Sequence, residues 1–472
     1  MNKKILHSCT SILVGKNATA DGSVIIGRNE DFKSSWPKHF VVHPSADIDN
    51  NKYISNATGV TISLPSHRFK YTATPEWTDK DGVMEEDGIN EKGVAMSATE
   101  SAYSNSEVLG YDPYDEHGIL EESMITIVLP YVDSARNGVK RLGNLIEQYG
   151  AGESDGVLFA DNNEAWYMEI GSGHCWVAKK IPDNEYAVVA NRLSIPEIDF
   201  EDDENYMFSK NLINFTVKHH LWNKNEKFVW NKIFGTNNYM DQEYNTARVW
   251  SGQRILTPSV KQSPDDLNLP FSRKPDKLLF INDISSVLRD HFDHTIYDTT
   301  NKDTNNHKYR PISLPMTQES HILQMRPNMP SNIGDIHWLA MGVSVESIYV
   351  PFYSGISDTP ADYKVGTENY SEGSAYWLYK HMSVLLDAHY NKFINNLVNI
   401  QKELYSKFLG IIDKTDKLAL SAENLDEQTK ILNNASFEMA NISRQEIKKF
   451  ISYLITNETN LSPLSFKTDK NL

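Results

Sequence analysis

CTSILVGKNATADGSVIIGRNEDF, residues 9–32, holds two short apolar runs, Ser11-Ile12-Leu13-Val14 and Val24-Ile25-Ile26, on either side of a polar segment. Both are rich in β-branched residues, whose stiff side chains suit a pleated surface. Asp21-Gly22 between them is a turn signal, so the runs read as two antiparallel strands. Their apolar residues are continuous rather than alternating, which predicts strands covered on both faces. The second strand ends in Arg28, Glu30 and Asp31. A hairpin would bring Arg28 and Asp31 back beside Cys9, and charges at the inner end of a sheet are costly unless paired. Two readings fit: a salt-bridged structural cluster with Cys9 as a small core hydrophobe, or ionisable groups serving the Cys9 thiol.

Further along, Gly88-Ile89-Asn90-Glu91-Lys92-Gly93-Val94 within residues 87–98 reads as a tight turn between short strands. Residues 119–149 carry helical spacing, with Leu120, Met124, Ile127 and Val128 on one face, a break at Pro130, and Leu142, Leu145 and Ile146 continuing before Gly150. Segments 156–160, 164–170, 174–178 and 186–190 are β-rich and separated by turn residues, which predicts a meander of four strands. A later strand pair is expected at 336–341 and 347–351, and the Asn/Asp/Thr/Lys-rich stretch 298–312 reads as a loop. From Ala375, Leu378, Met382, Leu385, His389, Phe393, Leu397, Ile400, Leu404, Phe408 and Ile411 recur at three- and four-residue steps. That spacing predicts one long amphipathic helix, with more helix over about 422–456 and a polar tail. Blocks of antiparallel strands alternating with helices indicate an α+β layered body with a helical C-terminal portion.

Composition excludes several classes. Across 472 residues, 46 Lys and Arg stand against 63 Asp and Glu, a formal charge of −17. Such a chain repels phosphate backbones and anionic lipid, so neither nucleic acid nor a membrane surface is expected as partner. Two cysteines, Cys9 and Cys175, make neither a disulfide scaffold nor a zinc cluster, and a reducing, cytoplasmic setting follows. Met1-Asn2-Lys3-Lys4 has the charge of a signal n-region, but Ile5 and Leu6 alone follow where a signal needs about 7–15 apolar residues, so export is not expected. No apolar run approaches the ~20 residues of a membrane helix.

The 24-residue N-terminal block closely resembles the start of the mature dipeptidase A family of cysteine peptidases, within the Ntn-hydrolase superfamily. GINEKGVAMSATES at Gly88–Ser101 and VVANRLSI at Val188–Ile195 resemble later family blocks in the same order. Acylases acting on bile salts and penicillin V are related, sharing the Cys, the Arg-x-x-Asp pair and a downstream Asn. The resemblance implies an αββα sandwich, two antiparallel sheets between helical layers. It also implies that residues 1–8 form a propeptide removed by self-cleavage after Ser8, leaving Cys9 as a new N-terminus. The remaining chain divides into a catalytic body over 9–372 and a helical extension over 373–472.

The implied chemistry is physically coherent. A thiol titrates at about 8.5 and an α-amine at about 7.7–8.0, so a free Cys9 amine is a suitable general base for its own thiol. By match to the family, Arg28 biases the thiolate and positions substrate, Asp31 orients the α-amine, and Asn191 donates to the developing oxyanion. Where the acylases have another polar donor, this chain has Glu100. An ionised carboxylate cannot donate, but it can hold the α-ammonium of a dipeptide. Arg248 and Arg254 are both candidates for a distal substrate-binding arginine, with Arg248 preferred. Neither metal nor organic cofactor is implied; the substrate is a small peptide, and a homo-oligomer is compatible. Two competitors remain: an acylase on a non-peptide amide, and a catalytically silent secernin-like interaction protein.

Other features point elsewhere. Cys175, read as mid-strand between His174 and Trp176, is assigned to the core. His219, His220, His381 and His389 lack the carboxylate context of a metal site, and no phosphate-binding glycine loop occurs.

Overall fold

The computed structural model describes residues 9–239, 241–301, 307–462 and 464, without the side chain of Glu100. The expected propeptide, residues 1–8, and the polar tail beyond 464 lie outside the described residues. The strands that position the site are, in chain order, β1 (Thr10–Val14), β2 (Val24–Asp31), β3 (Asp87–Ile89), β4 (Ala95–Ala102), β5 (Ser154–Ala160), β6 (Ala165–Ile170), β7 (Trp176–Lys180), β8 (Tyr186–Val189), β9 (Tyr206–Phe208), β10 (Ser272–Arg273), β11 (Thr317–Met325), β12 (Asp335–Met341) and β13 (Val350–Tyr353). The helices used below are α1 (Glu121–Val128), α2 (Ala135–Tyr149), α3 (Ala247–Leu256), α4 (Ile281–Leu288), α5 (Ala375–Ala388), α6 (Tyr390–Leu420) and α7 (Leu425–Glu458).

The predicted hairpin forms: β1 and β2 are antiparallel, with Ser11 opposite Arg28 and Thr10 opposite Asn29. Gly22 takes φ +79° in the connection, a backbone state that L side chains rarely adopt. Two sheets result. One has seven strands in the order β10-β8-β1-β2-β11-β12-β13, the other six in the order β9-β7-β6-β5-β4-β3. Every residue of β1 and β2 is buried, as continuous apolar runs in the middle of a covered sheet require.

Side-chain alternation sorts the apolar residues into layers. Leu13, Val24 and Ile26 point from the first sheet onto Leu158, Tyr167 and Val177 of the second, forming the core between sheets. Ile12, Val14, Ile25 and Trp338 face the other way and share a core with α4–α7. Met96, Phe159 and Trp166 on the outer face of the second sheet pack with α1 and α2. The architecture is α+β, with helices, two sheets and helices in layers. No helix among the described residues is long and apolar enough to cross a membrane.

Three details differ from the sequence reading. The meander has three strands, β5–β7; the fourth, β8, leaves for the other sheet and pairs with β1, Val189 opposite Ser11. The free edge of β7 is taken by β9 instead. Turn residues and an apolar run mark a strand, but not which edge it joins. The helix from Ala375 is two helices, because His389 leaves helical geometry at φ −143°, ψ 42°. The apolar stripe crosses this break without interruption and neither Gly nor Pro marks it, so periodicity alone could not show it. Cys175 precedes β7 rather than lying inside a strand. It is buried, and burial together with nearby Asp112 pushes its thiol up to about 12, so it is an unreactive core group.

Candidate active site

Cys9 immediately precedes β1 and is 2% exposed. Arg28, on the neighbouring strand, places Nη1 3.3 Å from the Cys9 sulfur. Every nitrogen of this guanidinium has an acceptor. Nε donates to Ser97 Oγ at 3.1 Å, Nη1 also to the Thr99 carbonyl at 2.6 Å, and Nη2 to the Ala98 carbonyl at 2.8 Å and to the Glu86 carboxylate. Glu121 lies 3.7 Å from Nη1. Burial opposes the arginine's charge, but Cys9, Glu86, Glu121 and Glu30 hold its pKa well above the ordinary value. Lys38 completes the balance, 3.2 Å from Glu30 and 3.7 Å from Glu86. The costly charges at the end of β2 are therefore paired, and one of them also touches the thiol.

Arg248, from α3, reaches the other side of Cys9. Its Nη1 donates to the Cys9 carbonyl and to Thr10 Oγ1 at 2.9 Å, and its Nη2 to the side-chain oxygens of Asn191 at 2.7 Å and Asn245 at 2.8 Å. Arginine offers no acceptor, so its contact fixes the Asn191 amide with the oxygen toward Arg248 and the NH2 outward. That NH2 donates to the Ser101 carbonyl at 2.9 Å. Arg254, the alternative, instead pairs with Asp290 at 3.1 Å.

Asp31 pairs with Arg310 and accepts a hydrogen bond from Thr317. Burial raises its pKa, with Arg310, Thr317 and Arg248 opposing. Arg310 also reaches Thr10 Oγ1 at 3.3 Å, so Thr10 links the Asp31 and Arg248 sides of the site. Cys9, Arg28, Asp31, Asn191 and Arg248 thus form one connected network. The backbone of Glu100 sits on β4 opposite Gly156. Sequence reasoning missed Arg310, Asn245, Glu86 and Glu121. Glu85-Glu86-Asp87 directly before an apolar strand was a usable signal, since three acids there need buried cations.

Behind Arg28, Ser97 Oγ is 2.9 Å from His321 Nε2, and His321 Nδ1 is 2.9 Å from both Asp87 and Glu319. Asp87, Glu319 and His321 could geometrically hold a metal ion, as could His291, Asp293 and Asp298. In the first group, burial disfavours the imidazolium, but Asp87 and Glu319 raise His321 to about 9. With His321 protonated, the three groups balance as a buried ion pair. A separate cavity of about 750 Å³ lies beside Tyr309, Pro311, Glu346 and Asp387, and none of the network residues lines it.

The model of Peptidase family C69 matches residues 8–403. The chain belongs to peptidase family C69. Among curated relatives, a "Probable dipeptidase" of Latilactobacillus sakei is 42% identical over 470 residues, covering 99% of each chain. A "Probable dipeptidase B" of Lactococcus lactis subsp. lactis is 37% identical, covering 92% of each. "Dipeptidase A" of Lactobacillus helveticus is 33% identical, covering 90% of this C69 chain and 91% of the relative.

Proposed function

We propose that this chain is a cysteine dipeptidase whose nucleophile, Cys9, becomes N-terminal by self-cleavage. The observation that carries the reading is the Cys9 sulfur 3.3 Å from a fully buried Arg28 while Arg248 holds the Cys9 carbonyl. A cation at that distance favours thiolate over thiol. The names of the curated relatives favour dipeptides over non-peptide amides as substrate.

In processing, the Cys9 thiol adds to the Ser8 carbonyl, the Ser8–Cys9 C–N bond breaks, and its electron pair becomes the Cys9 α-amine. Water then hydrolyses the thioester and releases residues 1–8. In turnover, the α-amine takes the thiol proton and the sulfur attacks the scissile carbonyl. The proton passes to the leaving amine, and water later splits the acyl-enzyme into acid and thiol. Asn191 stabilises the oxyanion through the amide hydrogen not given to Ser101, a contribution of about 2.7–4 kcal/mol for one donor. Asp31 orients the α-amine, while Glu100 and Arg248 contribute to substrate binding. A chain with two cysteines and no disulfide scaffold suits a reducing cytoplasm.

Intact mass of the purified protein, wild type beside Cys9→Ala, tests this directly. The wild type should lack residues 1–8 and hydrolyse dipeptides, whereas the variant should keep them and be inert. A wild type that stays unprocessed and inactive would remove the enzyme reading.

A further inference from the structure

The cavity of about 750 Å³ lies where the turn Ser344–Glu346, the end of α5 and the start of α6 meet. Sites for small organic molecules measure about 300–1,000 Å³, far more than a bare ion needs. Leu314, Val343 and Val345 supply apolar wall, and two acids stand on it as well: Glu346 from the turn and Asp387 from the last turn of α5.

Glu346 supplies an observation of its own. It is 2% exposed, and its Oε2 is buried without a hydrogen-bond partner among the described residues. Burial, and then Asp387, raise its pKa well above the carboxylate range, with Ser383 and Lys380 opposing. The basic groups nearby are engaged elsewhere. Lys380 donates to the carbonyls of Pro315 and Thr317, at 2.9 and 3.1 Å, and burial lowers it to about 8 although Glu346, Asp387 and Asp31 favour its charge. Lys392 lies over the Phe393 ring, 5.5 Å from its centre.

The negative field reaches across the cavity. Tyr390 opens α6 and lines the wall; burial raises its hydroxyl above the ordinary value, and Glu346, Asp293, Asp298 and Asp387 all raise it further. Asp293 and Asp298 have the His291 imidazole between them, at 3.2 and 3.3 Å, whereas Glu346 and Asp387 face the cavity. A buried carboxylate without a cation is costly. A primary ammonium offers three donors, and apolar wall suits the stem that carries it. We propose that this cavity is a second binding site, taking a primary ammonium on an aliphatic stem, with Glu346 and Asp387 holding the ammonium and Leu314, Val343 and Val345 the stem. Free alkylamines and the lysine side chain both carry such a group. The site stands apart from Cys9 and does not depend on Cys9 being the nucleophile.

Isothermal titration of the full chain near neutral pH tests this with hexylamine, Nα-acetyl-lysine amide and hexanol. Hexylamine should bind with a Kd of about 1 mM or tighter, and hexanol at least about tenfold more weakly. Binding of hexylamine alone supports a site for free amines, and binding of both amines supports one that also admits a lysine side chain. Glu346→Gln and Asp387→Asn should each weaken hexylamine about ten- to a hundredfold. Hexanol binding as tightly as hexylamine would overturn the proposal without needing any variant to fold, and so would wild-type affinity in both variants. Alkylation of Cys9 by iodoacetamide, an uncharged probe, should leave hexylamine binding intact; loss of binding would place the amine at Cys9 and overturn the second site.

Discussion

Arg28 touches the Cys9 sulfur with Nη1 and donates through its three nitrogens to Ser97, Ala98, Thr99 and Glu86. A lysine would supply the charge without the planar fork that fixes its direction. Ser97, which receives Nε, is itself held by His321, so the orientation of the arginine depends on a histidine that never meets the thiol. The imidazole of His321 is raised from its ordinary 6.5 to about 9, burial opposing and Asp87 and Glu319 prevailing. A folded-state value above the unfolded one stabilises fully below about 6.5 and is lost as pH rises through about 9. Asp87 has the opposite sign. Despite burial, His321 and His337 hold it well below its usual value, so its contribution is lost in acid. Melting of wild type should therefore weaken between neutral pH and about 9. His321→Gln should lower stability at neutral pH by about 3–5 kcal/mol, because two buried acids lose their cation, and should flatten that alkaline decline. Thermal melts across this range check both, and an unchanged slope in the variant would remove His321 from the account. At this scale Cys9, Arg28, Asp31 and Asn191 could be singled out because they stand in recognisable blocks or at strand ends, while Arg248 stood beside Arg254 as one of two candidates. Arg310 could not be singled out, lying in a stretch that reads as loop. Glu121 looked like an ordinary acid at a helix start, where the macrodipole favours it anyway.

Elements were easier to read than their neighbours. Both strands of the first hairpin and the turn at Gly88–Gly93 formed where β-branched runs and turn residues predicted them, while the last strand of the final pair, expected at 347–351, starts three residues later at Val350. The crossing of β8 to the other sheet depended on which edge was open, information held by residues far away in sequence. Helix α2 shows how little the sequence says about approach distance. It lies against the second sheet through Gly138, where a Cβ would come 2.6 Å from the Phe159 ring, and Gly143, where one would come 2.2 Å from Trp176. Neither glycine ends the helix, so by propensity both are merely unfavourable. Packing reverses that expectation. Gly143→Ala, which should favour the isolated helix by about 1 kcal/mol, should instead destabilise the protein by about 1–3 kcal/mol as Trp176 is displaced. A lowered melting temperature with unchanged iodoacetamide labelling of Cys9 would locate the effect in this contact. A raised melting temperature would show that the ring can move at no cost.

For the molecule as a whole, the C-terminal helices bear directly on the site. Tyr379, Met382, Leu386, Phe393, Leu397, Phe408, Met439 and Phe450 from α5–α7 belong to one core with Trp338 and Phe352 of the sheet and with Ile12, Val14 and Ile25 of the first hairpin. Polar ties follow the same route: Arg326 meets Asp416 at 2.6 Å, and Lys380 donates to the carbonyl of Thr317, whose hydroxyl holds Asp31. The family match ends at residue 403, inside α6, although the helix continues to Leu420 in the same packed layer. Each large apolar side chain contributes about 1.5–3 kcal/mol by burial, while a folded domain has only about 5–15 kcal/mol in total. Losing a dozen such side chains, and baring the outer face of the strands that carry Arg28, exceeds that margin. We therefore expect residues 1–372 expressed alone to be insoluble or unfolded, and the full chain to melt in one transition that abolishes Cys9 labelling and helicity together. Two separated transitions, or a soluble 1–372 fragment with a reactive Cys9, would instead make the helical part an independent addition. The single transition is the outcome the shared core requires, because the layer that closes the fold also supports β1, which Cys9 immediately precedes, and β2, which carries Arg28.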